Sequence, residues 1–366
     1  MSNAVSKLRQ GGLISRGIFK GMPVLIVTIV LLSVAVVLSV LYAVTVGSAN
    51  LTTKQVYDII LFELFHLGDP ETLSAGAVHD IVWLIRLPRI ILAVGVGAGL
   101  AVVGSVMQAI VKNPLADPYI LGISSGASLG AILSVVINLT FPFSVDVALG
   151  AFVGALSISF LVIVISSIGG RATSVKLVLS GVALSSICSA FSSLIVYMAR
   201  DPERFRTVMF WLMGSLAGAD WETNIRVLLI VLASVLFFIT QARTLNLMLL
   251  GDDTAVTLGT NLQLYRSIYL MVASLMVGFI VYSSGVIGFV GLIIPHFIRS
   301  LFGVDHKKLI PLSALMGSLF LVWADVASRT VLPRTEVPIG ILISVVGAPV
   351  FILLLIRKTY GFGGGK

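Results

Sequence analysis

What most constrains this chain is a succession of apolar runs, each close to the length that crosses a bilayer. Spanning the roughly 30 Å hydrocarbon core takes about 20 apolar residues, fewer where a helix is embedded in protein. Ten segments qualify, at about 22–46, 90–111, 119–138, 147–168, 177–198, 225–240, 267–284, 285–298, 309–328 and 338–356. The expected fold is therefore all-α: a polytopic transmembrane bundle of about ten spans. It divides into an N-terminal tail (1–21), a membrane domain (22–356) and a C-terminal tail (357–366).

Composition agrees. Hydrophobic residues fill 58% of the 366 positions and charged residues only 11%, where soluble domains carry about 25% charged. Lipid is the solvent for most of this chain. The net charge of +8 forms no dense run and no basic–aromatic stripe, so nucleic acid is not an expected partner. The one cysteine, Cys188, lies inside an apolar run and allows no intrachain disulfide. Lys7, Arg9, Arg16 and Lys20 precede a first run longer than the core of a cleaved signal peptide, which predicts a retained helix.

Ten spans starting inside put both termini inside. That arrangement leaves fifteen of the 24 Lys and Arg residues on the inner side, as the positive-inside rule requires. Asp58, Glu63, Asp69, Glu71, Asp80, Asp146, Asp201, Glu203, Asp220, Glu222 and Glu336 fall outside. The outer segment 48–85 spaces Val56, Ile59, Ile60, Phe62 and Phe65 as an amphipathic surface helix. Phe210–Ala219 reads as a second interfacial piece, with Trp211 and Trp221 at headgroup level.

Motors and catalytic groups are not evident. No G-x-x-x-x-G-K-[ST] occurs, and Gly363-Gly364-Gly365-Lys366 lacks both its spacing and its hydroxyl. His66, His79, His296 and His306 have no metal-ligand spacing. Asp325 is the only intramembrane acid that could relay an ion. These features point away from an enzyme and toward a conduit energised by another subunit, with an ion-coupled secondary carrier as the remoter alternative.

Several stretches carry a family likeness. They run from Arg86-Leu87-Pro88-Arg89 and Gly104–Gln108 through Asn113-Pro114-Leu115-Ala116-Asp117-Pro118 and Leu121–Ala127. Leu179–Leu184, Trp211–Gly214, Leu250-Gly251-Asp252 and Leu258-Gly259 follow. Gly288–His296, Glu336–Gly340 and Gly347-Ala348-Pro349 complete the set, in order, over about residues 80–356. Together they resemble the FecCD-type permeases of ABC importers for siderophore-bound iron, heme and vitamin B12.

The resemblance implies a type II ABC importer permease that pairs with a second copy or a paralogue. Cytoplasmic ATP-binding subunits would use the ATP, no cofactor residing in this chain, and an extracytoplasmic substrate-binding protein would deliver cargo. Location would be the cytoplasmic (inner) membrane, and the expected cargo an iron(III)-siderophore or similar metal chelate, with heme or cobalamin as alternatives.

Roles follow residue by residue. Arg86, Arg89 and Arg329 would dock acidic groups of the binding protein; Pro88 suits a first helical turn, which sets Arg89 at a helix N-terminus that disfavours a cation. Leu247–Gly259 would be the coupling helix for the ATPase, with Leu250, Gly251, Asp252, Asp253, Ala255, Leu258 and Gly259 as its key positions. Asn113, Pro114, Leu115, Thr173 and Ser174 would form cytoplasmic gates, and Ser180, Gly181, Ala183 and Leu184 would line the pathway. His296 as a ligand for iron or heme is the less favoured reading.

Overall fold

A computed structural model describes residues 21–47, 49, 51–141, 144–168, 173–198, 202–251, 262–332 and 335–356. Every regular element among them is a helix. We number the main ones α1 (Met22–Thr45), α2 (Thr53–Phe65), α3 (Ala77–Val111), α4 (Ile123–Thr140), α5 (Val147–Ser167), α6 (Ser174–Met198) and α7 (Pro202–Leu212). Then come α8 (Trp221–Thr240), α9 (Ala242–Leu250), α10 (Leu262–Ser284), α11 (Val290–Phe302), α12 (His306–Thr330) and α13 (Ile339–Ile356). Eight are long and apolar enough to cross a membrane, and α11 and α13 are shorter apolar helices in the two remaining expected places.

The centre of the bundle is α3. From Leu87 to Val111 only Ile91, Val94 and Ala98 escape full burial, because α12, α11, α8 and α10 all pack on it. Small residues allow the approach. A Cβ on Gly97 would collide with the carbonyl oxygen of Gly317 in α12, and one on Gly104 with that of Gly291 in α11. Without a hydrophobic drive between helices in lipid, such close contact supplies the association energy. Ser318 adds a bond from its Oγ to the Val94 carbonyl at 2.8 Å. A second layer, α4 to α6, joins this core mainly where α5 packs on α10.

The start of α3 departs from expectation. The helix does not begin near Pro88 but at Ala77, passing through a π-helical stretch, Asp80–Arg86. In π geometry residue 88 would donate to the carbonyl of Trp83, but proline has no N–H to give. The Trp221 indole supplies the missing donor, Nε1 to Trp83 O at 2.9 Å, and Asn224 Nδ2 donates to Pro88 O at 2.7 Å. Arg89 therefore sits inside a continuous helix, so the expectation of a cation at a helix N-terminus is corrected.

The surface helix expected within 48–85 is α2, with Val56, Ile59 and Ile60 on its buried side. Its N-terminus is closed by a reciprocal cap: Thr52 N donates to Gln55 Oε1 at 3.0 Å, and Gln55 N to Thr52 Oγ1 at 3.3 Å. Of the expected coupling helix, 247–259, the described residues are 247–251. Helix α9 begins earlier, at Ala242, and ends at Leu250, where Gly251 turns to φ +106°. Asp252, Asp253, Ala255, Leu258 and Gly259 lie outside the described residues, as do positions 1–20 and 357–366 of the two tails.

Candidate functional site

At one end of the bundle the three arginines singled out by sequence come together, but they point inward. Arg89 Nε donates to Asp325 Oδ1 at 2.7 Å, and its Nη1 donates to Glu336 Oε2 at 2.7 Å. Arg329 reaches the other oxygen of Asp325, Nε to Oδ2 at 3.0 Å. One turn of α12 separates Asp325 from Arg329, so a single carboxylate bridges α3 and its own helix. Arg86 binds no carboxylate among the described residues: it donates to Val44 O at 3.1 Å, Thr45 O at 3.2 Å and Ala49 O at 2.6 Å. Arg329 also donates to Val46 O at 2.8 Å. The last carbonyls of a helix lack intrahelical partners and carry its negative end, so two arginines from elsewhere in the fold cap α1.

The side chains of Arg89, Arg329 and Asp325 are 7%, 6% and 1% exposed, whereas that of Glu336 is 52% exposed. The network reaches solvent through Glu336. Asp325, the one acid considered for ion relay, is neutralised by two guanidinium groups. Beside the network lies a cavity of about 240 Å3 lined by Arg89, Trp211, Ser328, Glu336 and their neighbours. The segment after α7 ties two helix ends beside it: Ser215 N donates to Ser284 O at 2.9 Å, and Ile339 N to Gly214 O at 3.2 Å.

At the opposite end, the two expected gate segments are neighbours. Ser174 Oγ donates to Ile110 O at 2.9 Å, so the start of α6 caps the end of α3. Thr173 accepts from Lys176 N at 3.3 Å as the cap of α6, and Asn113 Oδ1 accepts from Leu115 N at 2.9 Å. Pro114 and Leu115 are half-buried, Asn113 and Thr173 exposed. The loop between α3 and α4 then turns into the bundle. Its Asp117 accepts backbone N–H bonds from Tyr119, at 2.9 Å, and from Phe289, while Tyr119 Oη accepts from Ile287 N at 3.3 Å. Pro118 packs against Gly291, and Gly181 of α6 against the Ile120 carbonyl. Irregular backbone at membrane depth is tolerated where protein buries it, and here two irregular segments, 113–122 and 285–289, satisfy each other.

Of the four expected pathway residues, Gly181 and Leu184 are buried against the same chain. Ser180 is half-buried and Ala183 exposed, on a face open to another molecule. Leu250 is exposed at the end of α9, followed by Gly251. Sequence reasoning missed the structural parts of Asp117, Tyr119 and Glu336. The paired prolines 114 and 118 were the one local signal for the inward turn. Nothing local marks Glu336 as a partner of Arg89, 247 residues earlier. Also unforeseen is a polar network of Gln108, Arg299, Asn246, Asp305 and His306: Arg299 Nη2 contacts Gln108 Oε1, Asn246 Nδ2 donates to Asp305 Oδ1 at 2.8 Å, and His306 N donates to Asn246 Oδ1 at 2.9 Å. Among the described residues no three His, Cys, Asp or Glu side chains converge on a metal site.

This arrangement has known relatives. The ABC transporter permease YvrB of Bacillus subtilis, itself uncharacterized, is 39% identical over 88% of this chain and 91% of its own length. The hemin transport system permease HmuU of Yersinia pestis is 39% identical, covering 78% and 87%. The cobalamin import system permease BtuC of Halobacterium salinarum is 40% identical, covering 79% and 75%. A solved structure described as an inward-facing conformation of a metal-chelate type ABC transporter superposes with a TM-score of 0.75, at 30% identity over 90% of this chain and 98% of that one. The profile of the FecCD transport family matches residues 31–357. With the family order of motifs set on a ten-segment helical bundle, the chain belongs to the FecCD transport family and is a multi-pass membrane permease.

Proposed function

We propose that the chain is the membrane-spanning subunit of an ABC importer that admits an iron(III)-siderophore or similar metal chelate. It pairs with a second copy or a close paralogue, and the pathway runs between the two. Separate ATP-binding subunits drive it from the cytoplasm, where both termini lie, and an extracytoplasmic binding protein supplies cargo. The chain itself catalyses no covalent step. Hemin and cobalamin are the alternative cargoes, the ones named for two of the relatives.

The single observation behind the pairing is the contrast between α1 and α6. Both leave most of their surface uncovered. Helix α1 exposes Ile26, Val27, Val30, Leu31, Val34, Val37 and Leu38, the surface of a helix facing lipid. On α6 the exposed surface is mixed: Ala183, Ser186, Ser189 and Ala190 are interleaved with Leu179, Val182, Ile187, Phe191 and Leu194. Small and hydroxyl side chains gain little from lipid and suit close helix contact or a polar path. The buried arginines modify the docking idea: Arg86, Arg89 and Arg329 position the outer rim from beneath, and half-exposed Glu336 marks where their charge meets solvent. Gate roles for the 113–115 and 173–174 segments, and coupling through the region after Leu250, complete the reading.

The test is uptake in proteoliposomes. Chain plus ATP-binding subunits and binding protein should accumulate a ferric siderophore on ATP addition. Accumulation by the chain alone under an ion gradient would replace this reading with a secondary carrier.

A further inference from the structure

Helices α5 and α8 both pack on α10, and a cleft of about 160 Å3 opens over α10 at the Arg89 end of the bundle. Its polarity is graded with depth. Thr223 and Arg226 belong to the first turns of α8, and Tyr282 lies two residues from the end of α10. Phe279 lies one turn below Tyr282, roughly 4.5 Å deeper by the helical rise, with Phe152 and Val227 beside it. The Phe152 and Phe279 rings meet edge to face at 4.8 Å. Hydroxyl and guanidinium groups thus form a rim over an aromatic floor, on helices whose outer faces are apolar (Val153, Leu229 and Leu275 are all exposed).

The rim cation differs from the other arginines at this end. Arg86, Arg89 and Arg329 are buried among oxygen acceptors. Arg226 is 53% exposed, with its guanidinium on Glu222 at 3.1 Å, a carboxylate 84% exposed. An exposed i,i+4 pair of this kind is weak, so a stronger anion can displace it. Phosphate is such an anion, since a guanidinium meets it with two parallel hydrogen bonds.

We propose that this cleft is a binding site for an anionic phospholipid. The phosphate sits on Arg226 beside the Tyr282 hydroxyl, the Thr223 hydroxyl being held by Asp220, and the start of an acyl chain lies over Phe152, Val227 and Phe279. The cleft is smaller than the 300–1,000 Å3 typical of small-molecule sites, which suits a chain segment and not a bulky chelate. A soluble anion would use the rim and leave the aromatic floor empty; a zwitterionic lipid offers the same phosphate but gains less from Arg226, because its ammonium group cancels the headgroup's net charge.

The full-length protein, purified in detergent, is mixed with equal phosphatidylglycerol and phosphatidylcholine of identical acyl chains, and retained lipid is read by native mass spectrometry. Phosphatidylglycerol should be held about fivefold better, the preference one interfacial cation supplies. Arg226→Gln should bring the two lipids level, and Leu149→Trp, which fills the cleft from its rim, should reduce retention of both. Equal retention by the unmodified protein, or an unchanged preference in Arg226→Gln, overturns the proposal. Loss of bound phosphatidylglycerol on adding inorganic phosphate at matched ionic strength would also overturn it, by showing an anion site without the acyl chain. If Arg226→Gln does not fold, Leu149→Trp alone decides, unchanged retention refuting the site.

Discussion

Replacing Asp325 by alanine removes the one carboxylate that two buried guanidinium groups share. The Arg89 and Arg329 contacts to it are 2.7 and 3.0 Å, and all three side chains are at most 7% exposed. Breaking a buried pair typically costs about 3–5 kcal/mol, because the surviving charge is left without its counter-ion. Here two charges survive. Glu336 still holds Arg89, and the Val46 carbonyl still holds Arg329, so the loss should lie near about 4 kcal/mol instead of twice the single-pair figure. Against a total stability of about 5–15 kcal/mol, the protein should remain folded but melt much earlier. Equilibrium unfolding in detergent, followed by helix signal, gives the number. Arg89→Met combined with Asp325→Leu should recover part of the loss, since it removes one of the two stranded charges and leaves Arg329 on the Val46 carbonyl. Glu222→Ala, breaking an exposed pair on α8, should cost less than about 0.5 kcal/mol. A cost below about 1 kcal/mol for Asp325→Ala would refute the view that this network holds α3, α12 and the α13 approach together.

Trp221→Phe keeps the ring contact with Trp83 but leaves the Trp83 carbonyl without its donor; a loss of about 1–3 kcal/mol is expected in the same unfolding assay. Gly104→Ala forces a methyl into the Gly291 carbonyl, and should destabilise by about 1–3 kcal/mol or more, measurable as a lowered melting temperature.

The membrane class, the number and order of helices and the family all follow from the sequence alone. Apolar run length is a one-dimensional property, and lipid leaves little else for such runs to become. The α2 surface helix was legible for the same reason, from periodicity over a dozen residues. Motif order along 80–356 carried the family. Boundaries were harder: the helix that contains Pro88 and Arg89 starts eleven residues before Pro88, at Ala77, because Trp221 satisfies the carbonyl that proline strands at Trp83. That donor lies 138 residues from Trp83.

Tertiary structure alone decided what the charged residues do. Arg86 and Arg89 read locally as cations in search of an outside partner, yet the fold brings Asp325, Glu336 and the end of α1 to them. Ser174 and Asn113 were found by motif, but their closeness depends on α6 starting where α3 ends. Gly181 and Ala183 share a motif and still face nearly opposite ways, because an α-helix turns 100° per residue and only packing chooses which side is covered. Apolar pattern places a chain in the membrane; the direction of each buried charge is set by neighbours that only folding brings within reach.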